Sequence, residues 1–274
     1  MNVALIQMRT GLDKAANVAT AVSEIRAAAQ QGADLAVLPE MFCCPYDHKY
    51  FAPYSEPAGG PVWQALSEAA QSNQIWVVGG SFPESDGDQL YNTCFVFDRT
   101  GRQAARHRKV HLFDAAITDG PHFRESDTLS AGSQITLFDT EFGRLGLCIC
   151  FDIRFPELFL LMSQAGAKAI IVPAAFNSVT GAAHWELLFR SRAVDAQVFA
   201  IGVSPARNQK GYISYGHSIV CSPWGEVLAE AEYAPCTQIV PLDFAQIEQV
   251  RQQLPLLSAR RDDLYQLIQH EKKS

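Results

Sequence analysis

Short apolar segments alternate with a helical pattern in the first part of the chain, and this alternation constrains the fold more than any other feature. Residues 3–8 (VALIQM) predict a strand, and residues 34–40 (DLAVLPE) predict a second strand that ends in a Pro and a Glu. Between them, four apolar residues recur with the spacing of one helix face: Val18, Val22, Ile25 and Ala29. A strand, a helix and a second strand in this order predict a parallel β-α-β unit.

The second half of the chain repeats this organisation. Residues 144–150 (RLGLCIC) and 169–176 (AIIVPAAF) predict strands, and residues 156–166 (PELFLLMSQAG) and 184–197 (HWELLFRSRAVDAQ) predict the helices that follow them. No linker and no change of composition separates the halves. We therefore predict one α/β domain over residues 1–274, in which helices cover both faces of the sheets.

Composition narrows the partners and the compartment. The formal net charge is −7, which argues against a nucleic-acid partner because such proteins usually present a basic face. No apolar run approaches the roughly 20 residues that span a bilayer, and the N-terminus lacks the pattern of a signal peptide. The seven cysteines are therefore expected to be reduced thiols in a cytoplasmic protein. They include no CxxC pair, so we expect no zinc site.

The segment GRLGLCICFDIRFPEL, residues 143–158, holds the first candidate for chemistry. Cys150 is predicted to close a strand, and functional residues of α/β sheets gather where strands end. Cys148 lies inside the predicted strand, where buried cysteines are common. The pattern favours Cys150 as the exposed thiol, although a packing role for both cysteines remains open.

A nucleophilic thiol needs a base, because only the thiolate attacks. Histidine is the usual base, but no candidate stands in a pattern that demands this role: His111, His184 and His217.

Two charged residues also stand at predicted strand ends and suggest a mechanism. Glu40 would accept the thiol proton of Cys150 and pass it to the leaving amine, while the thiol forms a thioester. Lys109, with the backbone amide of Phe151, would stabilise the oxyanion. Glu125 would orient the substrate amide or the water. Each charged residue also has an alternative without a catalytic role. Glu40 would be a surface residue, Lys109 one cation of a basic strand, and Glu125 a loop residue.

The chain resembles the nitrilase superfamily of carbon–nitrogen hydrolases. LPE at 38–40, KVHLFD at 109–114 and CFDIRFPEL at 150–158 match its catalytic blocks in order, and the likeness extends over about residues 1–265. The further matching blocks are AAFNSVTGAAHWELLFRSRAVDAQVF, SPARN, YGHSIVCSPWGEVLAEA and RQQLPLLSARRDDLY.

The resemblance implies a four-layer α-β-β-α sandwich and a homodimer, with the tail at about 255–274 either extended or at the dimer interface. It implies a catalytic triad of Glu40, Lys109 and Cys150, with no metal and no organic cofactor. The family's second glutamate corresponds to Glu125.

Three stretches are most similar to the ω-amidase branch of this family: PEMFCCPY, AFNSVTG and SPARN. Those enzymes release ammonia from monoamides of small dicarboxylic acids, such as 2-oxoglutaramate and 2-oxosuccinamate. Two features differ from the branch. Cys43 and Cys44 follow Glu40 where small polar residues are usual, and the loop DAAITDGPHFRES differs in detail.

A substrate of this kind carries a carboxylate far from the reacting amide. Arg154 is the candidate that binds it, because a guanidinium suits bidentate contact with a carboxylate. Pairing of Arg154 with Asp152 or Glu157 is the alternative. Three more residues are expected to contact the substrate, two through hydroxyls and one as a pocket wall: Tyr46, Thr180 and Phe176.

Other functions remain open at this point. The same family includes amidases of deaminated glutathione, N-carbamoyl hydrolases and nitrilases, which share the triad. A catalytically silent binding or scaffold protein on this fold is a further alternative, although all three triad positions are filled. A redox-active thiol protein is the least favoured, since no CxxC or resolving pair is evident.

Overall fold

The structure is a computed structural model that describes residues 1–118, 122–208 and 211–269 of the chain. Its strands are β1 (Asn2–Gln7), β2 (Leu35–Val37), β3 (Trp76–Val78), β4 (Phe82–Asp86), β5 (Gln89–Phe97), β6 (Gln103–Arg108), β7 (Asp114–Ala116), β8 (His122–Arg124), β9 (Thr136–Thr140), β10 (Gly143–Leu147), β11 (Ala169–Pro173), β12 (Phe199–Val203), β13 (Ile219–Cys221), β14 (Val227–Glu230) and β15 (Cys236–Pro241). Its α-helices are α1 (Lys14–Gln30), α2 (His48–Tyr54), α3 (Pro61–Asn73), α4 (Pro156–Gln164), α5 (Ser178–Ala196) and α6 (Ala245–Gln253). Short 3-10 helices cover Glu125–Asp127 and Cys150–Arg154.

In the described part of the chain, the strands form two mixed sheets and a small hairpin. The first sheet has the order β15-β1-β2-β3-β5-β4, with β6 paired to β5, and the second has the order β14-β13-β12-β11-β10-β9. Strands β1, β2 and β3 run parallel, as do β10, β11 and β12. The parallel β-α-β arrangement predicted from the sequence is thus present in both halves.

Side-chain alternation along β1 shows how the layers form. Val3 and Leu5 belong to the apolar cluster that joins the two sheets, whereas Ala4 and Ile6 belong to a cluster with α1 and α3. Successive side chains of a strand point to opposite faces, so these helices cover the outer face of the first sheet. Phe189 of α5 packs over β12, and α4 packs on β10, on the second sheet. The result is the predicted four-layer α-β-β-α sandwich.

Helix α5 begins earlier than the sequence pattern predicted. The pattern started the helix at His184, but the structure starts it at Ser178. The side chain of Asn177 explains the difference, because its Oδ1 accepts hydrogen bonds from the amides of Val179 and Thr180 at 3.0 and 2.9 Å. Such a cap satisfies amides that the first helical turn leaves without partners. The first turn of α5 therefore lies directly after β11 and its short connection.

None of the helices in the described residues is both long and apolar enough to cross a membrane.

The chain continues past α6 with turns and irregular backbone over residues 255–269. Several apolar side chains of this segment are exposed: Leu256, Leu264, Tyr265 and Ile268. The predicted tail covers 255–274, of which 270–274 lie outside the described residues. An extended or interface role for the tail remains a prediction.

Candidate active site

Four candidate residues from distant parts of the chain meet near the strand ends of the two sheets. Glu40 lies shortly after β2, Lys109 directly after β6, and Cys150 shortly after β10. Nζ of Lys109 lies 3.0 Å from Oε1 of Glu40 and 2.8 Å from Oε2 of Glu125. The Cys150 thiol and the Glu40 carboxylate lie close enough for each to shift the pKa of the other. The structure therefore brings together all four residues for which the sequence predicted a catalytic role.

Cys150 occupies a turn rather than the end of a strand. Strand β10 ends at Leu147, and Cys150 opens a 3-10 helix with a φ of 47°. A residue other than glycine in this left-handed region costs roughly 1–2 kcal/mol, and such strain concentrates at functional sites. The prediction of an exposed thiol was wrong, because Cys150 is 5% exposed and lines a small pocket.

Burial and neighbouring charges shift the pKa of each ionisable group around the thiol. Burial raises the pKa of Glu40, and the positive charge of Lys109 only partly opposes this. Burial also raises the pKa of the Cys150 thiol well above its ordinary value, and the negative charge of Glu40 adds to the effect. Burial alone would lower the pKa of Lys109, but Glu125 and Glu40 hold it well above its ordinary value. The site thus combines a fixed cation with a carboxylate of increased basicity beside a neutral thiol.

Asn92 is a site residue that the sequence analysis missed. It is fully buried in β5, and its Nδ2 donates a hydrogen bond of 2.8 Å to Oε1 of Glu40. Its backbone carbonyl accepts from the Lys109 amide at 2.9 Å. Asn92 therefore contacts both the carboxylate and the segment that carries the cation. A polar Asn within the apolar strand sequence LYNTCFVF was the available signal.

Asp152 ties the turn of Cys150 to the segment of Lys109. Its carboxylate accepts hydrogen bonds from the amide of Ile149 at 3.0 Å and from the amide of His111 at 2.8 Å. It also contacts ring nitrogens of His107 at 3.0 Å and of His111 at 2.9 Å. These bonds join the two sheets beside the reacting groups.

The three histidines considered as bases have other partners. His111 contacts Asp152, Nδ1 of His184 lies 3.3 Å from Arg154, and Nδ1 of His217 lies 3.2 Å from Glu230. The carboxylate of Glu40 is thus the basic group that acts on the pKa of the Cys150 thiol.

A small pocket lies in front of Cys150. All five residues predicted to contact substrate line it: Tyr46, Phe151, Arg154, Phe176 and Thr180. Its free volume is about 10 Å³, which is close to the space of one water molecule. A wider cleft of about 480 Å³ adjoins it, because Tyr46, Ala175 and Tyr212 line both. The hydroxyl of Tyr212 donates to the Ala175 carbonyl at 2.6 Å, at the boundary between the two spaces.

Arg154 has no carboxylate partner among the described residues. Its guanidinium lies 4.8 Å from the ring centre of Phe176 and 5.6 Å from that of Phe151. Burial lowers its pKa. The alternative pairing with Asp152 or Glu157 is not found, and Asp152 is occupied by the two histidines. A partly buried cation without an anion, beside the nucleophile, can bind a carboxylate.

Tyr46 and Thr180 were both predicted to offer a hydroxyl to the substrate, and both line the pocket. The Tyr46 hydroxyl donates to Oε1 of Glu125 at 2.7 Å, so it orients that carboxylate from within the pocket wall. Thr180 lies in the first turn of α5 and is nine-tenths buried.

Cys43 and Cys44 are adjacent in sequence but lie in different environments. Cys44 lines the wider cleft, whereas Cys43 packs in the apolar cluster behind the first sheet. All seven cysteines are free thiols, and the described residues contain no group of three side chains suited to a metal ion.

Comparison with known proteins gives consistent matches. The family model "Carbon-nitrogen hydrolase" matches residues 2–252. Human omega-amidase NIT2 is 47% identical over 264 residues, which cover 96% of each chain. The crystal structure of Saccharomyces cerevisiae Nit3, of branch 10 of the nitrilase superfamily, superposes with a TM-score of 0.88 at 43% identity, covering 95% of this chain and 96% of that one.

A more distant structure has a covalent adduct on its active-site cysteine. It is a variant amidase from Nesterenkonia sp. AN1, in which acrylamide has added to the active-site cysteine. This protein is 25% identical, and the match covers 96% of this chain and 98% of that one with a TM-score of 0.81.

Proposed function

This chain belongs to the carbon–nitrogen hydrolase family, and on that premise we propose that Cys150 carries out the hydrolysis of a small ω-amide through a thioester. The protein is an amidase of the ω-amidase type, as its high identity to those enzymes over nearly the full chain indicates. The substrate class is the monoamides of small dicarboxylic acids, such as 2-oxoglutaramate and 2-oxosuccinamate. The observation that carries this choice is the guanidinium of Arg154, which lines the pocket of the Cys150 thiol and has no carboxylate partner among the described residues.

Acylation is the first half of the proposed reaction. Glu40 takes the proton of the Cys150 thiol, and the sulfur attacks the amide carbon. The oxygen becomes negative, and the Lys109 ammonium and the amide of Phe151 stabilise it. Glu40 then passes its proton to the nitrogen, and ammonia leaves a thioester on the sulfur.

Deacylation returns the enzyme to its starting state. Glu40 removes a proton from water, and the resulting hydroxide attacks the thioester carbon. The carboxylic acid product leaves, and the sulfur recovers its proton from Glu40. Glu125 contributes by holding Lys109 at 2.8 Å, so that the cation stays charged throughout.

Arg154 supplies the substrate preference in this proposal. A partly buried guanidinium gains from a carboxylate that replaces its lost water. The rings of Phe176 and Phe151 flank it, with their centres 4.8 and 5.6 Å from the guanidinium. The free volume in front of Cys150 is small, so substrate entry requires the side chains shared with the wider cleft to move.

A panel of amides tests the function. Purified protein is given 2-oxoglutaramate, deaminated glutathione, an N-carbamoyl amine and a small nitrile, and ammonia is measured. Release from 2-oxoglutaramate supports the proposal, whereas release from only the other compounds assigns the protein to another branch. Mass spectrometry of an acyl adduct on Cys150, with Cys150→Ala as the control, separates an active enzyme from a silent binding protein.

We also propose that the chain forms one domain and works as a cytoplasmic homodimer. The apolar cluster that joins both sheets supports a single domain, and the seven free thiols fit a reducing compartment. Exposed apolar side chains at Leu187, Trp224 and Leu228 suit an interface between copies. Light scattering coupled to size exclusion measures the oligomeric state, and a monomeric mass contradicts the dimer.

A further inference from the structure

We propose that Asn177 binds the substrate through its side-chain amide, which donates to the oxygen beside the substrate carboxylate and so selects 2-oxo acids over amino acids. This inference rests on the proposed function. It adds a residue and a rule of discrimination that the catalytic groups do not provide.

The orientation of the Asn177 side chain is fixed by the helix that it caps. Its Oδ1 lies 3.0 Å from the amide nitrogen of Val179 and 2.9 Å from that of Thr180. Both partners are donors, so the atom facing them must be the amide oxygen. The NH₂ group is therefore the other end of the side chain.

That NH₂ group is buried without a partner. Asn177 is 5% exposed, and its Nδ2 has no hydrogen-bond partner among the described residues. A buried donor without an acceptor costs roughly 1–3 kcal/mol. Ser or Asp would cap α5 about as well without this cost. The donor therefore points to a function other than capping.

The surroundings of Asn177 identify its missing acceptor. It lines the pocket of Cys150 together with Arg154 and Thr180. Nδ2 and the guanidinium can only donate, and no Asp or Glu is among the described residues that line this pocket. The donors of Asn177 and Arg154 therefore suit a ligand that carries two acceptor groups.

A 2-oxo acid has this pattern, because its carboxylate and its neighbouring ketone both accept. We assign the carboxylate to Arg154 and the ketone oxygen to Asn177. An amino acid such as glutamine has an ammonium where the ketone would be. Its ammonium would point N–H donors at the Asn177 amide, which is itself a donor. It would also place a positive charge near the Arg154 guanidinium, and both contacts are unfavourable.

Three substrates of equal length isolate the contact: 2-oxoglutaramate, glutaramate and glutamine. They differ only in having a ketone, a methylene or an ammonium-bearing carbon beside the carboxylate. We expect the wild-type kcat/KM to fall in that order. One hydrogen bond of ordinary strength gives roughly a 10-fold difference between the first two.

Two substitutions keep the helix cap while removing the donor. Asn177→Ser and Asn177→Asp both retain an oxygen acceptor for the first turn of α5. We expect each to reduce the preference for 2-oxoglutaramate over glutaramate by about 10-fold, mainly through KM. Asn177→Asp should also increase the relative rate with glutamine, because its carboxylate attracts the ammonium. Asn73→Asp, at the C-terminal end of α3 and outside the residues that line this pocket, is the matched control and should leave every ratio unchanged.

The results distinguish the inference from the proposed function. Unchanged substrate ratios in both Asn177 variants, or an equal loss with all three substrates, would overturn the role of Asn177. Far-UV circular dichroism and thermal melting show whether the cap survives in each variant. A wild-type enzyme that releases ammonia from none of the three would overturn the proposed function together with this inference.

Discussion

The side-chain amide of Asn92 lies 2.8 Å from Oε1 of Glu40 and donates a hydrogen bond to it. The same oxygen accepts from Lys109, and Oε2 accepts the amide of Ala175 at 2.7 Å. Hydrogen bonds of this kind favour the ionised carboxylate, whereas burial favours the protonated one. The net effect is a raised pKa for Glu40. The basicity of Glu40 is therefore set by a balance in which Asn92 takes part.

Asn92→Ala should shift this balance toward the protonated form. The pKa of Glu40 should rise further, so the acidic limb of the kcat/KM profile should move to higher pH. We expect a loss in kcat/KM of roughly 10-fold near neutral pH, from one hydrogen bond to a charged group. Ammonia release from 2-oxoglutaramate between pH 5 and 10 measures this. A profile that superposes on the wild type contradicts it, and Asn73→Ala serves as the control.

Lys109 separates the effect on stability from the effect on catalysis. Its ammonium lies between the buried carboxylates of Glu40 and Glu125. Lys109→Met should lower the free energy of unfolding by about 3–5 kcal/mol, because two buried like charges lose their counter-ion. It should also reduce kcat by roughly 10²–10³-fold through loss of the oxyanion contact.

The double variant Lys109→Met with Glu125→Gln tests whether the stability loss comes from the buried charges and the activity loss from the oxyanion contact. Removing one carboxylate charge should restore most of the stability, while the activity stays low. Urea unfolding and ammonia assays measure both properties on the same preparations. Recovery of activity in the double variant would show that Lys109 acts only by neutralising charge.

Glu40 and Cys150 could be predicted from the sequence because each stands beside a recognisable strand end. Glu40 ends LAVLPE and Cys150 ends RLGLCIC, and functional residues of α/β proteins gather where strands end. The supporting residues were not predictable in this way. Asn92 and Asp152 act on partners far away in the chain: strand pairing within the first sheet brings Asn92 to Glu40, and the packing of the two sheets brings Asp152 to His111.

The errors in the sequence analysis have local physical causes. Cys150 was expected to be exposed because an apolar pattern marks where a strand stops but contains no sign of the following turn. The turn has a positive φ, and Cys150 lines a small pocket there. The start of α5 was placed too late because its first turn, SVTG, has no apolar periodicity. The signal for the start of α5 is the capping residue Asn177. The proposed contact of Asn177 with the substrate was not predicted from the sequence either.

Asp152→Asn should destabilise the protein in a pH-dependent way. Burial alone would raise the pKa of Asp152, but hydrogen bonds from His107 and His111 outweigh burial and lower it. Its contribution to stability is therefore complete above the unfolded pKa of about 4 and is lost as the pH falls below that value. We expect the variant to lose about 3 kcal/mol at pH 7 and less at pH 3.

Urea unfolding of both proteins at pH 7, 5 and 3 measures this difference. Asp139→Asn, at an exposed ion pair with Arg144, is the control and should change little at any pH. An equal loss of stability from Asp152→Asn at pH 7 and pH 3 would show that the charge of Asp152 is not what stabilises the fold.

Alkylation of Cys150 should report directly on the charge of Glu40. Of the seven cysteines, Cys236 is partly exposed and the others are buried, so Cys236→Ser removes the expected background label. In that variant, the rate of labelling at Cys150 by iodoacetamide should still be rising above pH 9, because burial and the Glu40 charge raise the thiol pKa.

Glu40→Gln in the same background removes the negative charge, so the labelling profile should move to lower pH. Peptide mass mapping identifies the alkylated cysteine at each pH. Circular dichroism checks that the fold is unchanged. A profile that moves to higher pH in Glu40→Gln would mean that Glu40 assists thiolate formation more strongly than its charge opposes it. In that case proton transfer from Cys150 to Glu40, rather than electrostatic repulsion between them, would control the reactivity of the nucleophile.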